Sequence, residues 1–143
     1  MLVTEHSDQS FRQHRTLLYV EDNLANVCLV RQLISRRGNF KFLSAIDGDL
    51  AMIMAREFSP TIILMDIDLP GKNGYDVLKL LRDDPITLHI PVIALSSFSY
   101  PHDITKGIEA GFVRYLTKPY KIEDLLDALD VAMDCVQRDH RSW

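Results

Sequence analysis

Leu17-Leu18-Tyr19-Val20-Glu21-Asp22-Asn23 decides the fold: a short apolar run stops abruptly on two carboxylates and an asparagine. A strand with one wet face alternates apolar and polar residues. This one does not, so both of its faces are covered, as in a parallel sheet packed between helices. Asn23 stands where a helix N-cap belongs, and Leu24, Val27, Val30, Leu33 and Ile34 follow at helical spacing until Gly38 supplies a stop. The same unit recurs outward along the chain. Strands are predicted at Lys41 to Ala45, Thr61 to Met65, Ile90 to Leu95 and Phe112 to Leu116. Helices are predicted from Asp49 to Glu57, around Tyr75, Val77, Leu78 and Leu81 up to Asp84-Pro85, from His102 to Ala110, and from Ile122 past Val136. Five strands alternating with five helices make a three-layer α/β domain with a parallel sheet.

Composition sets bounds on this reading. The 143 residues, 47% of them hydrophobic and 25% charged, suit one globular domain with short tails. We expect a polar lead-in over residues 1–15, one domain over 16–138 and a polar tail over 139–143. Sixteen basic against twenty acidic side chains give a net charge of −4, which argues against a dedicated nucleic-acid binder. No apolar run approaches the roughly 20 residues a membrane span needs, and the N-terminus lacks a signal-peptide core, so a cytoplasmic protein without membrane insertion is expected. Cys28 and Cys135 have no metal-ligand spacing and read as reduced thiols. The five histidines show no HxxH or HExxH pattern.

The chemistry collects where the strands stop. The first ends at Glu21-Asp22, the third at Asp66, the fourth at Ser96-Ser97 and the fifth at Thr117-Lys118. In a parallel sheet these ends share one edge, the edge at which open α/β folds bind ligands. Converging carboxylates repel, and a hard divalent cation held by oxygen ligands relieves them; Mg2+ suits one or two carboxylates plus waters and a phosphoryl oxygen. Lys118 is a compact cation for the remaining phosphoryl oxygens, and Ser96 is a hydroxyl donor. With charge neutralised, a carboxylate becomes a nucleophile toward phosphorus.

Four ordered motifs carry a family resemblance. They are Leu17 to Asn23, Leu64-Met65-Asp66-Ile67-Asp68-Leu69-Pro70-Gly71-Lys72-Asn73-Gly74, Ile90 to Ser96, and Gly111 to Pro119. Over about residues 16–136 the chain resembles the receiver domain of two-component response regulators, most nearly those of hybrid sensor histidine kinases or stand-alone phosphorelay receivers. The resemblance implies a flavodoxin-like (βα)5 sandwich with strand order 2-1-3-4-5. It implies that Asp66 accepts a phosphoryl group from a histidine kinase or a histidine phosphotransfer protein, and that the domain is no enzyme beyond its own phosphorylation and dephosphorylation. Mg2+, or Mn2+ in its place, would be held by the side chains of Asp22 and Asp66, by Glu21 through water and by the Asp68 backbone carbonyl. Lys118 would pair with the phosphoryl group, and the Lys118–Pro119 bond would be cis. Ser96 and Tyr115 take the places of the family's switch hydroxyl and rotating aromatic. Their movement would remodel the face of the fourth helix, fifth strand and fifth helix, through which partners or a second copy bind.

Two features depart from the common pattern or vary within it. Ser97 replaces a usually small residue, and Asp68 and Phe98 occupy the variable positions bordering the phosphoryl group, where Phe98 is expected to hinder attacking water. Taken singly these residues have bland readings: Asp66 before a Pro-Gly turn is a structural aspartate, and Glu21-Asp22 a partner for a helix dipole. The acidic row Glu123, Asp124, Asp127, Asp130 and Asp134 reads as a wet helix face. Two competing functions remain at this point. Asp66-x-Asp68 fits the nucleophile and acid/base pair of haloacid-dehalogenase-type phosphatases, although that motif belongs on a first strand. A non-phosphorylated docking pseudo-receiver is the other, opposed by intact Glu21, Asp22, Asp66 and Lys118.

Overall fold

Every strand pairing is parallel, and the register aligns the strands' C-terminal ends at one edge. The computed structural model describes residues 15–38 and 40–141. In chain order these are β1 (Thr16–Val20), α1 (Leu24–Arg37), β2 (Lys41–Ala45), α2 (Gly48–Phe58), β3 (Ile62–Asp66), α3 (Gly74–Asp83), β4 (Val92–Ser96), α4 (Pro101–Ala110), β5 (Arg114–Thr117) and α5 (Ile122–Arg141). The sheet order is β2-β1-β3-β4-β5. This is the flavodoxin-like arrangement expected of the sequence.

The continuous apolar runs are explained by two separate cores. Successive residues of a strand point to opposite faces. Leu18, Val20, Ile63, Met65, Val92 and Ala94 meet Ala51, Ala55, Val77 and Leu81 from α2 and α3. Leu17, Tyr19, Ile62, Leu64, Ile93 and Leu95 meet Val27, Val30 and Ile34 of α1 and Leu125, Ala128, Leu129 and Ala132 of α5. Each fully buried Leu or Ile contributes about 1.5–3 kcal/mol, so the central strands dominate the stability. The outward side of α5 is not simply wet. Asp130 pairs with Arg37 of α1, and Asp127 with Arg114 of β5 at 3.2 Å, which ties the helix to its neighbours.

Local chemistry sets the boundaries. The Asn23 side chain accepts the N–H groups of Ala25 and Asn26 at 2.9 and 3.3 Å and starts α1; Gly38, at φ 73°, ends it. β4 starts at Val92 rather than at Ile90, because Pro91 has no N–H and the Ile90 N–H turns back to Thr87 O at 3.1 Å. β5 starts at Arg114 rather than at Phe112, whose N–H still closes α4 on Gly107 O at 3.2 Å. α5 runs through Arg141, so residues 139–141 continue a helix where a tail was expected; neither Gly nor Pro interrupts the sequence from Ile122 onward. The expected lead-in, apart from Arg15, lies outside the described residues, as do Ser142 and Trp143.

Candidate functional site

Ladder hydrogen bonds that overrun the strand ends build the site. The Glu21 N–H donates to Ala45 O at 2.9 Å, Ile67 N–H to Leu95 O at 2.9 Å and Lys118 N–H to Ser96 O at 2.8 Å. The residues after β1, β3 and β5 are thereby fixed at one edge before any side chain acts. Glu21, Asp66 and Ser96 are buried there, and Asp22 is exposed.

Carboxylate oxygens of Glu21, Asp22 and Asp66 lie within 4.8 Å of one another. Asp66 Oδ2 faces Lys118 Nζ at 3.1 Å, and Asp66 Oδ1 accepts the Asp68 N–H at 3.0 Å. Glu21 is tied down on both oxygens. Its Oε1 accepts from the Tyr19 hydroxyl at 3.1 Å and from Asn26 Nδ2 at 2.9 Å, and its Oε2 accepts the Asp22 N–H at 3.1 Å. Burial raises the Glu21 carboxyl above its ordinary value, and contact with Asp66 raises it further; Asn26 and Lys118 pull the other way. One ammonium against three carboxylates leaves an excess of negative charge behind an exposed Asp22. An all-oxygen set with one open side fits a hard, partly hydrated divalent cation and offers nothing to a soft one.

The expected switch residues meet at the backbone of a single residue, Phe98, rather than at the carboxylates. Ser96 Oγ accepts the Phe98 N–H at 3.0 Å, and the Tyr115 hydroxyl donates to Phe98 O at 2.8 Å. The Phe98 backbone is thus held at both ends. The Phe98 side chain is 58% exposed, beside a cavity of about 350 Å3 that it shares with Asp68, Tyr75, Lys106 and Tyr115. The Asp68 side chain is exposed and accepts the Ser97 N–H at 3.4 Å. The Lys118–Pro119 peptide is cis. Of the histidines, His6 and His14 fall outside the described residues, and His102 faces Asp103 at 3.3 Å and stacks on the Tyr100 ring at 5.7 Å.

Three contributors were not legible as site residues: Tyr19, Asn26 and Gly107. Tyr19 reads as one more apolar strand residue. The available signal was its hydroxyl, the one side-chain polar atom within that buried run, which had to find a partner. Gly107 sits inside a helix, where glycine is unfavourable. A Cβ there would meet the Tyr115 ring at 2.4 Å, so the glycine is the seat on which that ring rests.

Comparison with known proteins agrees with this geometry. The family model described as response regulator receiver domain matches residues 17–130. The response regulator PleD of Caulobacter vibrioides is 37% identical over 110 residues, which are 77% of this chain and 24% of PleD. This chain therefore spans about a quarter of that relative's length. The polar-differentiation response regulator DivK of Brucella anthropi is 36% identical over 115 residues, 80% of this chain and 93% of DivK. Among solved structures, the receiver domain of the Pseudomonas aeruginosa sensor histidine kinase PA1611, which carries a magnesium ion in its active-site cleft, superposes with a TM-score of 0.72. It is 30% identical, over 80% of this chain and 93% of that one.

Proposed function

This chain belongs to the response regulator receiver domain family, and from that premise we propose that Asp66 is its phosphoacceptor. The observation that carries the reading is the buried Asp66 carboxylate, 3.1 Å from Lys118 and grouped with Glu21 and Asp22. An Asp66 oxygen attacks the phosphorus of a phosphohistidine on a histidine kinase or histidine phosphotransfer protein. The O–P bond forms as the P–N bond breaks, and the departing imidazole takes a proton from solvent. Lys118 neutralises one phosphoryl oxygen as charge builds there. Mg2+, or Mn2+, would be held by the Asp22 and Asp66 side chains, by Glu21 through water and by the Asp68 carbonyl, and would supply the remaining charge neutralisation.

The receiver unit comprises residues 16–138. Once Asp66 is phosphorylated, Ser96 leaves the Phe98 N–H to donate to the phosphoryl group, and Tyr115, bonded to the carbonyl of the same residue, transmits the change to the α4-β5-α5 face. A kinase-pathway partner or a second copy reads that face. The site works in the cytoplasm; among the described residues no helix is long and apolar enough to cross a membrane, and Cys28 and Cys135 are free thiols. Phosphatase turnover finds no support in the placement of Asp68, whose exposed carboxylate accepts from Ser97.

Labelling with a small phosphodonor such as acetyl phosphate, in Mg2+, tests the assignment. Wild type takes up label and Asp66→Asn does not; label persisting in the variant overturns it.

A further inference from the structure

Tyr19 lies in the buried run Leu17 to Val20 of β1, with its ring edge-on to Phe42 at 6.4 Å and 1% of its surface exposed. Packing alone would be served as well by phenylalanine. Its hydroxyl instead reaches the strand's C-terminal end and donates to Glu21 Oε1 at 3.1 Å. Asn26 Nδ2, from the first turn of α1, donates to the same oxygen at 2.9 Å. Burial and the neighbouring Glu21 carboxylate push the Tyr19 phenol above its ordinary value, which keeps it a neutral donor. Two donors, one from β1 and one from α1, therefore converge on Glu21 Oε1.

The two donors have a physical task. Glu21 is buried beside Asp66, and two ionised carboxylates that close repel one another. Donors on Oε1 hold the Glu21 carboxylate against that repulsion. We propose that Tyr19, with Asn26 as the second donor, is a positioning residue for divalent-cation capture, holding Glu21 in the acidic cluster with Asp22 and Asp66. This rests on the reading of the cluster as a cation site. Partners one shell out from a metal ligand are worth about 10–100-fold in affinity. With Glu21 acting through water, the lower end applies.

The test is binding of Mn2+ alone to the full chain, followed by electron paramagnetic resonance of the free ion, with Mg2+ as competitor and no phosphodonor. Tyr19→Phe keeps the ring and removes one oxygen. It raises the dissociation constant about tenfold, and Asn26→Ala, which removes the other donor to Glu21 Oε1, raises it by a similar factor. In a Glu21→Gln background Tyr19→Phe has no further effect on the constant, a non-additivity that mere loss of packing does not produce. Unchanged affinity in both Tyr19→Phe and Asn26→Ala, with binding lost in Asp22→Asn, overturns the positioning role and leaves the cation site standing. Wild type that binds no Mn2+ at millimolar concentration overturns both. Should Tyr19→Phe fail to fold, the change in Asn26→Ala carries the test.

Discussion

At the residue scale, Glu21 shows how a site can oppose the fold that builds it. Its carboxyl is raised in the folded protein, so the native state binds a proton more readily than the unfolded chain does. Glu21's contribution to stability is fully present below its unfolded pKa and is lost as pH rises through the raised folded one. In cation-free buffer, Glu21→Gln therefore stabilises the protein at neutral pH by about 1 kcal/mol, and its advantage shrinks as pH falls into the carboxylate range. Urea midpoints at several pH values check this; a variant less stable than wild type at neutral pH contradicts it. Phe98 poses a kinetic question. Its backbone is pinned by Ser96 and Tyr115 while its ring stands exposed beside Asp68. If the ring screens Asp66 from water, Phe98→Ala loses phosphoryl label several-fold faster, and an unchanged rate removes that role. The charged and capping residues of the site were legible because each stood at a strand end or a turn. Tyr19 was not, since its bond to Glu21 is made by one oxygen atom, and periodicity reports on the ring.

At the scale of elements, the helices and central strands followed their apolar spacing, and the edges moved wherever a single backbone group decided the matter. Pro91 withheld an N–H, Phe112 spent its own on closing α4, and α5 ran on because nothing stopped it. α4 is the element whose sequence disagrees with its structure. Gly107 weakens it by about 0.5–1 kcal/mol relative to alanine, yet the Tyr115 ring occupies the space a Cβ would take. Gly107→Ala thus favours the helix and displaces the ring, breaking the Tyr115 bond to Phe98 O. The expected result is a more solvent-exposed Tyr115, seen in its NMR ring resonances, together with slower labelling by a small phosphodonor. Resonances identical to wild type would sink the seating role of Gly107.

At the scale of the molecule, the net charge of −4 is distributed with a purpose. Part of the acidic row on α5 is spent on Arg37 and Arg114, whereas among the described residues Lys118 is the one cation paired with the Glu21, Asp22 and Asp66 cluster. Part of the uncompensated charge therefore sits at the edge that two apolar cores hold rigid, and the whole fold bears its cost. Any cation that binds there and not to the unfolded chain must return stability by mass action. At ten times its dissociation constant, Mg2+ contributes about 1.4 kcal/mol. For a domain of this size that raises the thermal midpoint by roughly 3–6 °C. The shift should grow with the logarithm of Mg2+ concentration, vanish in Asp22→Asn, and be small in Glu21→Gln, where less repulsion remains to relieve. Lys118→Ala makes the opposite case: the last positive charge leaves the cluster, the cation-free protein loses stability, and the Mg2+-dependent gain becomes larger than in wild type. Calorimetry of the three variants with and without Mg2+ separates charge relief from a general salt effect, which would move all of them alike.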